Sequence, residues 1–244
     1  TLNAEKMLEA ILFDCDGVLA ETERDGHRVS FNNAFQDAGI QEEWSVERYG
    51  KLLETGGGKE RMTAHWNEVG WPEQLYDEAS RQDKVKELHL AKTDLFMGLI
   101  DNGVIPLRPG VLRLVDEAIA AGVRLAVCST SNEKAVRNIV TTLMSEEQAS
   151  KFLVFAGDMV KAKKPAPDVY NMAVEEMGLD KSRCVVIEDS HIGLSAAKAA
   201  GIACLVTKSS YTGGEDFTAA DMIVDELGDD ASGGVTLETL TGLL

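Results

Sequence analysis

Residues 9–23, EAILFDCDGVLAETE, decide how this chain is read. Ala10-Ile11-Leu12-Phe13 is a short apolar run without charge, which predicts a strand buried on both faces. The run stops in Asp14-Cys15-Asp16-Gly17. In open α/β sheets, ligands bind just past the carboxyl ends of the strands. Two carboxylates two residues apart at such a place repel each other unless a cation lies between them, and a divalent cation is the usual solution. Gly17 allows a turn that other residues make with difficulty. Alone, Asp-x-Asp-Gly is equally a strand-ending turn, because Asp and Gly favour turns on local grounds. The choice rests on what distant parts of the chain bring.

The chain has 244 residues, of which 44% are hydrophobic. That suffices for one large domain, or a domain plus an insert, with a sizeable core. The net charge of −17 argues against a nucleic-acid partner and against an anionic membrane surface, both of which want a basic face. No apolar run reaches the length of a membrane span, and no signal peptide is visible. The chain opens on Thr1 rather than Met, which leaves room for a removed targeting segment. Cys15, Cys128, Cys184 and Cys204 all fall in or at the end of apolar runs, with no CxxC pair. They read as buried free thiols in a reducing compartment.

After Glu23 a helical period takes over, with Val29, Ala34 and Phe35 on one face and Gly39 as its end. No strand is predicted from there to Gly103. Residues 73–100 read as one long helix or two. Residues 24–103 therefore form a helical insert, flanked by hinges at 20–23 and 101–109. A βα rhythm follows. Helix 111–121 ends at Gly122, and strand 123–127 leads to Cys128-Ser129-Thr130-Ser131. Thr130 and Glu133 have capping-box spacing for a helix to Met144. Phe152 to Phe155 is a third strand, ending at Gly157-Asp158. Helix 167–177 ends at Gly178. Cys184 to Ile187 is a fourth strand, ending in Glu188-Asp189-Ser190, with Ser190 as the cap of a helix stopped by Gly201. Ala203 to Val206 is a fifth strand and Met222 to Val224 a sixth. The pattern predicts an α/β fold: a Rossmann-like parallel sheet with helices on both faces, plus an inserted α-helical cap. The core is residues 1–23 with 104–244, and the cap is residues 24–103.

The strand ends collect the chemistry. The first gives Asp14 and Asp16, the second Ser129, the fourth Glu188 and Asp189. Lys164 lies in Lys161-Ala162-Lys163-Lys164-Pro165, a basic run in an acidic protein. Carboxylates from two strands, one lysine and one hydroxyl make a magnesium-plus-phosphate site. Each piece has an innocent reading as a cap, a solvated charge run or a turn. All of them at one sheet edge, in this order, point to the site.

These residues resemble the four motifs of the haloacid-dehalogenase (HAD) superfamily: Asp14-Cys15-Asp16-Gly17-Val18, Ser129, Lys164-Pro165 and Glu188-Asp189-Ser190. The resemblance covers the whole chain. It implies that Asp14 is a nucleophile that becomes an aspartyl phosphate, and that Asp16 protonates the leaving oxygen and then activates water. Ser129 and Lys164 would bind the transferring phosphoryl group. Mg²⁺ would take Asp14, the backbone carbonyl of Asp16, and Asp189, with Glu188 as a ligand or outer partner. The insert resembles the cap of the β-phosphoglucomutase-like subfamily. Three segments, at 21–28, 56–62 and 128–133, resemble the CbbY-type phosphatases of photosynthetic organisms, which remove the Rubisco inhibitor xylulose-1,5-bisphosphate. That likeness implies a Mg²⁺-dependent sugar-bisphosphate phosphatase of the chloroplast stroma, with a small sugar phosphate as partner; we expect a monomer. A sugar phosphomutase on the same scaffold, or a catalytically silent binding protein, stays open at this point.

The cap offers candidate substrate contacts: Glu23, His27 and Arg28 past the first hinge, and Gly57, Gly58, Lys59 and Arg61 in the loop that starts at Gly56. Ser131 and Asn132 join them from the core. Gly-Gly-Gly-Lys lacks the spacing of a P-loop and no strand precedes it. Three glycines still expose backbone donors beside a lysine and an arginine, which suits a second phosphate. His65, His89, Trp44, Trp66 and Trp71 read as structural.

Overall fold

Six short apolar runs build one parallel sheet: β1 (Ala10–Phe13), β2 (Arg124–Cys128), β3 (Phe152–Phe155), β4 (Cys184–Glu188), β5 (Ala203–Thr207) and β6 (Met222–Val224). Their order is β3-β2-β1-β4-β5-β6. The computed structural model of the protein describes residues 7–55, 57–157, 159–230 and 232–244. Gly56 and Asp158, named above in the cap loop and after the third strand, lie outside the described residues. The chain divides into two units, Thr1–Glu21 with Pro106–Leu244, and Thr22–Ile105.

In the sheet unit, β1 is central and pairs with β2 on one side and β4 on the other. Successive strands run outward to either side of β1, so the chain's direction of winding reverses there. Such a switch point leaves a crevice at the carboxyl ends of the strands. Phe13 pairs with both Val127 and Ile187, so the ends of β1, β2 and β4 are level. All four residues of β1 are fully buried, which is why its sequence has no polar alternation.

The Thr22–Ile105 unit is helical. A short π-helical turn, Glu23–His27, runs into α1 (Arg28–Asp37), followed by α2 (Val46–Leu52), α3 (Gly58–Val69) and α4 (Glu78–Asp101). Segment 73–100 resolves into a 3-10 turn, Glu73–Leu75, and one long helix capped by the Asp77 side chain. On α4, Val85, Leu88, Lys92, Phe96 and Ile100 are buried at spacings of three and four, the stripe of a helix packed on one side. Trp44 and Trp66 are core residues: Trp44 lies 4.9 Å from Phe31 and 5.0 Å from Phe35 between ring centres, and Trp66 5.4 Å from Phe35. Trp71 is half-buried beneath Arg81. The glycine loop leads directly into a helix. Gly57 is the N-cap of α3, and Gly58, Lys59, Glu60 and Arg61 form its first turn.

Helices α5 (Val111–Ala121), α6 (Glu133–Leu143), α7 (Glu146–Ala149), α8 (Asp168–Met177), α9 (His191–Ala200) and α10 (Leu237–Thr241) complete the sheet unit. Residues Ala10, Leu12, Ala126, Cys184, Val186 and Cys204 of the sheet pack with α8 and α9. The alternate residues Ile11, Phe13, Leu125, Val127 and Val185 are buried on the other face, where α5 buries Val111, Leu114, Val115 and Ala118. All four cysteines are buried and free. The cap of α6 is Asn132, whose Oδ1 accepts from Ala135 N at 2.9 Å. Thr130 does not fill that role, because α6 begins only at Glu133, two residues further on than a Thr130 cap requires. Glu133, freed from a capping box, pairs with Arg137 at 2.7 Å. Among the described residues no helix is long and apolar enough to cross a membrane.

Candidate active site

Level strand ends bring the predicted core residues together. Asp14 follows β1, and its N–H donates to Ile187 O at 2.9 Å, so the sheet ladder holds the residue itself. Lys164 reaches in from the segment between β3 and α8. Its Nζ donates to Asp14 Oδ1 at 2.7 Å, to Glu188 Oε1 at 2.6 Å and to the Cys128 carbonyl at 2.7 Å. All three ammonium protons are thus committed, one to each of β1, β2 and β4. The Lys164 side chain is only 4% exposed. Burial opposes its charge, but the Asp14 and Glu188 carboxylates outweigh burial and hold it protonated.

Glu188, the last residue of β4, is fully buried. Its Oε1 also accepts from the phenol of Tyr170 on α8, and its Oε2 from Asp189 N at 3.3 Å. Glycine is required at position 193 on α9, since a Cβ there would stand 1.9 Å from the Glu188 carboxylate. Gly17 plays a similar part at φ +81°: its Cβ would meet Asp189 Oδ2 at 2.1 Å. Two glycines thus let two carboxylates approach backbone closely.

Asp14, Glu188 and Asp189 each offer an oxygen within 4.8 Å of the others. Three buried carboxylates face one ammonium. The imbalance shows in their protonation. Burial pushes Asp14 up to about 7, against the opposing pull of Lys164, with Glu188 and Asp16 adding to the rise. Burial, then Asp14 and Glu188, push Asp189 well above the carboxylate range. A second positive charge is what this cluster lacks, and a set of hard oxygen donors suits a divalent cation.

Asp16 stands beside the cluster, half-buried, with its Oδ2 accepting from Ser131 Oγ at 2.7 Å. Ser129 is buried; its Oγ accepts from Ser131 N at 3.0 Å, and its own N–H donates to Phe155 O at 3.0 Å. Ser131, expected at the substrate, is therefore the residue that ties Asp16 to the start of α6. Asn132, expected there too, uses its carbonyl oxygen as the helix cap.

The helical unit holds its candidates differently. Tyr49 OH donates to Glu23 Oε2 at 2.6 Å, and Arg61 NH1 donates to Tyr49 OH at 2.8 Å. Arg61 Nε donates to Leu52 O at 3.1 Å, and NH1 lies 4.0 Å from Glu23. Arg61 is buried, so the phosphate-gripping arginine of the sequence reading is engaged inside its own unit. Arg28 donates to the carbonyls of Arg24 and Trp44, both at 3.2 Å. His27 Nδ1 lies 2.7 Å from the buried Lys92 Nζ, and its ring stacks on Phe96. Of the loop's two cations, Lys59 is exposed.

Tyr170, Ser209 and Arg108 escaped the sequence reading. Ser209 lies beside Asp189, both of them against Gly17. Tyr170 had a signal, a lone aromatic with a hydroxyl on a helix face otherwise apolar; the other two sit in turns, where nothing local marks them.

The comparisons with known proteins agree with this geometry. A family model described as haloacid dehalogenase-like hydrolase matches residues 8–201. The chain belongs to the haloacid dehalogenase-like hydrolases. Within the family it is similar to a CBBY-like protein of Arabidopsis thaliana, 58% identical over 221 residues, spanning 90% of this chain and 69% of that one. The CbbY protein of Rhodobacter capsulatus is 42% identical, over 90% of this chain and 94% of its own. A crystal structure of a CbbY variant from Rhodobacter sphaeroides, in complex with xylulose-1,5-bisphosphate, superposes with a TM-score of 0.78 at 40% identity, covering 90% of this chain and 95% of that one. The chain is thus a HAD-type phosphatase of the CbbY kind.

Proposed function

We propose that this HAD hydrolase is a Mg²⁺-dependent sugar-bisphosphate phosphatase, and that its substrate is xylulose-1,5-bisphosphate. The observation that carries the reading is Lys164 bridging Asp14 and Glu188 at 2.7 and 2.6 Å beside Asp189. The substrate comes from the CbbY complex with that sugar. The plant relative supports a seat in the chloroplast stroma.

In this reading Asp14 is the nucleophile. One of its oxygens attacks phosphorus, and the bond from phosphorus to the sugar oxygen breaks. Asp16 gives that oxygen its proton, and Ser131 holds the Asp16 carboxylate at 2.7 Å for the task. Asp16, now charged, takes a proton from water. The water oxygen attacks phosphorus, the Asp14–phosphorus bond breaks, and phosphate leaves. Lys164 orients Asp14 and offsets charge on the phosphoryl group, with Ser129 as a further donor to its oxygens. Asp14, Asp189 and the Asp16 carbonyl would hold Mg²⁺, with Glu188 engaged mainly in fixing Lys164. The metal, when bound, supplies the second positive charge that the carboxylates and phosphate need.

A bisphosphate brings a second dianion. For it we assign the start of α3, with the N–H groups of Gly58 and Lys59 and the exposed Lys59 ammonium, together with His27. Glu60 must swing aside, since its carboxylate lies over Gly57. Glu23, Arg28 and Arg61 are engaged by other groups of the helical unit and support it. The test is phosphate release from xylulose-1,5-bisphosphate, other sugar mono- and bisphosphates and glucose phosphates, with Mg²⁺ and with EDTA. Preferred, Mg²⁺-dependent release from xylulose-1,5-bisphosphate is the expected result. Interconversion of glucose phosphates without release would replace the reading by a mutase.

A further inference from the structure

Arg108 is the buried side chain that this chemistry leaves unexplained. It opens the Arg-Pro-Gly turn before α5, and it is 9% exposed. Its guanidinium is used completely. NH1 donates to the carbonyls of Gly17 and Thr207, and NH2 to those of Lys208, at 2.6 Å, and Asp225, at 2.9 Å. Nε faces Glu21 Oε1 at 3.6 Å. NH1 and NH2 thus hold four carbonyls, and Nε forms an ion pair with one carboxylate. The Arg108 N–H donates to Leu19 O at 2.7 Å, so the residue is also stitched to the turn at residues 17–19 that follows Asp16.

The four carbonyls belong to three separate pieces of chain. Gly17 is in the turn that carries Asp14 and Asp16. Thr207 and Lys208 are the end of β5, and Asp225 follows β6. Lys208 directly precedes Ser209, whose side chain lies close to the Asp189 carboxylate. Gly17 and Ser209 are also neighbours: a Cβ on Gly17 would lie 3.2 Å from Ser209 Cβ and 2.1 Å from Asp189 Oδ2. Asp189 is therefore wedged between two segments, and one guanidinium grips both.

We propose that Arg108 is a positioning residue: it clasps the Asp14–Gly17 turn to the ends of β5 and β6, and so fixes where Asp189, through Ser209, stands relative to Asp14. The inference rests on Asp14 and Asp189 serving as the metal-holding carboxylates of the proposed phosphatase. Its chemistry demands arginine. A lysine keeps the charge but has three donors on one nitrogen, and cannot hold four carbonyls from two separate nitrogens of one planar fork.

The experiment uses Arg108→Lys and, separately, Ser209→Ala in the full chain. Three readouts are taken: Mg²⁺ binding by calorimetry without substrate, amide hydrogen exchange over residues 14–20 and 206–210, and kcat and KM with p-nitrophenyl phosphate. Loss of an outer partner of a metal ligand typically costs about 10–100-fold in metal affinity or activity. For Arg108→Lys we expect a loss of that order in Mg²⁺ affinity and kcat, faster exchange confined to the two segments, and KM within about twofold, because no substrate contact is removed. Ser209→Ala should weaken Mg²⁺ in the same direction without loosening residues 14–20. A folded Arg108→Lys protein with wild-type Mg²⁺ affinity and kcat overturns the proposal, as does one whose only change is a lower Tm. If Arg108→Lys does not fold, Ser209→Ala decides, and unchanged Mg²⁺ affinity there overturns the path to Asp189. Failure of the wild type to hydrolyse xylulose-1,5-bisphosphate would strike the substrate assignment and leave the calorimetric and exchange arms intact.

Discussion

The two units handle buried charge in opposite ways. At the strand ends, Asp14, Glu188 and Asp189 crowd around a single ammonium, and burial drives Asp14 and Asp189 toward protonation. In the helical unit, Glu23, Tyr49 and Arg61 form a chain in which donor, acceptor and counter-charge are matched. The first cluster carries more negative charge than its ammonium offsets, which suits a divalent cation. The second is complete and serves the fold. Proximity of charged residues to a glycine loop or a hinge does not separate these cases; the balance of charge within the cluster does.

The sharpest test of the comparison is Asp14→Asn. It keeps the shape of the side chain and one acceptor for Lys164, but removes the charge and the nucleophile. Turnover should fall by at least about a thousandfold, to the limit of detection, since no other group can form the covalent intermediate. The fold, read by circular dichroism, should persist. Turnover near the wild-type rate in a folded variant would remove Asp14 from its role.

The same variant measures the charge imbalance. In metal-free protein Asp14 titrates near 7, above its unfolded value of 3.8. The folded state then binds the proton more tightly than the unfolded chain. That stabilisation is complete below pH 3.8 and is lost as pH rises through 7. Other carboxylates titrate too, so the quantity to follow is wild-type stability minus that of Asp14→Asn, by urea unfolding in EDTA. It should decline from pH 4 to pH 8, by at most a few kcal/mol at roughly 1.4 kcal/mol per pKa unit, and saturating Mg²⁺ should reverse the trend. A flat difference would mean that the cluster balances its own charge and has no need of a cation.

Much of the sheet unit was legible because its signals are local. A four-residue apolar run with an acidic stop identifies β1 and Asp14 at once, and the βα rhythm sets the strand ends side by side. What escaped depends on contacts far apart in sequence. Arg108 meets Gly17 and Asp225, and Tyr170 meets Glu188 from a neighbouring helix. Asn132 and not Thr130 caps α6, because the helix starts at Glu133, a start that the Thr130–Glu133 spacing by itself does not reveal. The glycine loop carried no sign of the helix it opens: Gly57 supplies the positive φ of +89° at the start of α3, after which the chain turns regularly.

The smallest effects, and the ones that separate binding from folding in the helical unit, come from its two cations at the start of α3. Arg61 is buried, with donors on Leu52 O and Tyr49 OH. Truncation to Ala removes the donors to Leu52 O and Tyr49 OH and the positive charge beside Glu23, at about 1–3 kcal/mol for groups so placed. Arg61→Ala should therefore lower Tm and reduce kcat/KM on xylulose-1,5-bisphosphate and p-nitrophenyl phosphate alike, because it loosens the unit and not one subsite. Lys59 is exposed, so its removal should leave Tm unchanged. A single solvent-screened ammonium is worth about 0.5–1 kcal/mol to a second phosphate, which is roughly a two- to fivefold loss in kcat/KM on the bisphosphate alone. Kinetics on both substrates for both variants checks the pair. A selective loss on the bisphosphate with Arg61→Ala, at constant Tm, would show that its internal bonds open for substrate and that the helical cluster is no more complete than the acidic one. Equal behaviour of the two substrates with Lys59→Ala would move the second phosphate away from the start of α3.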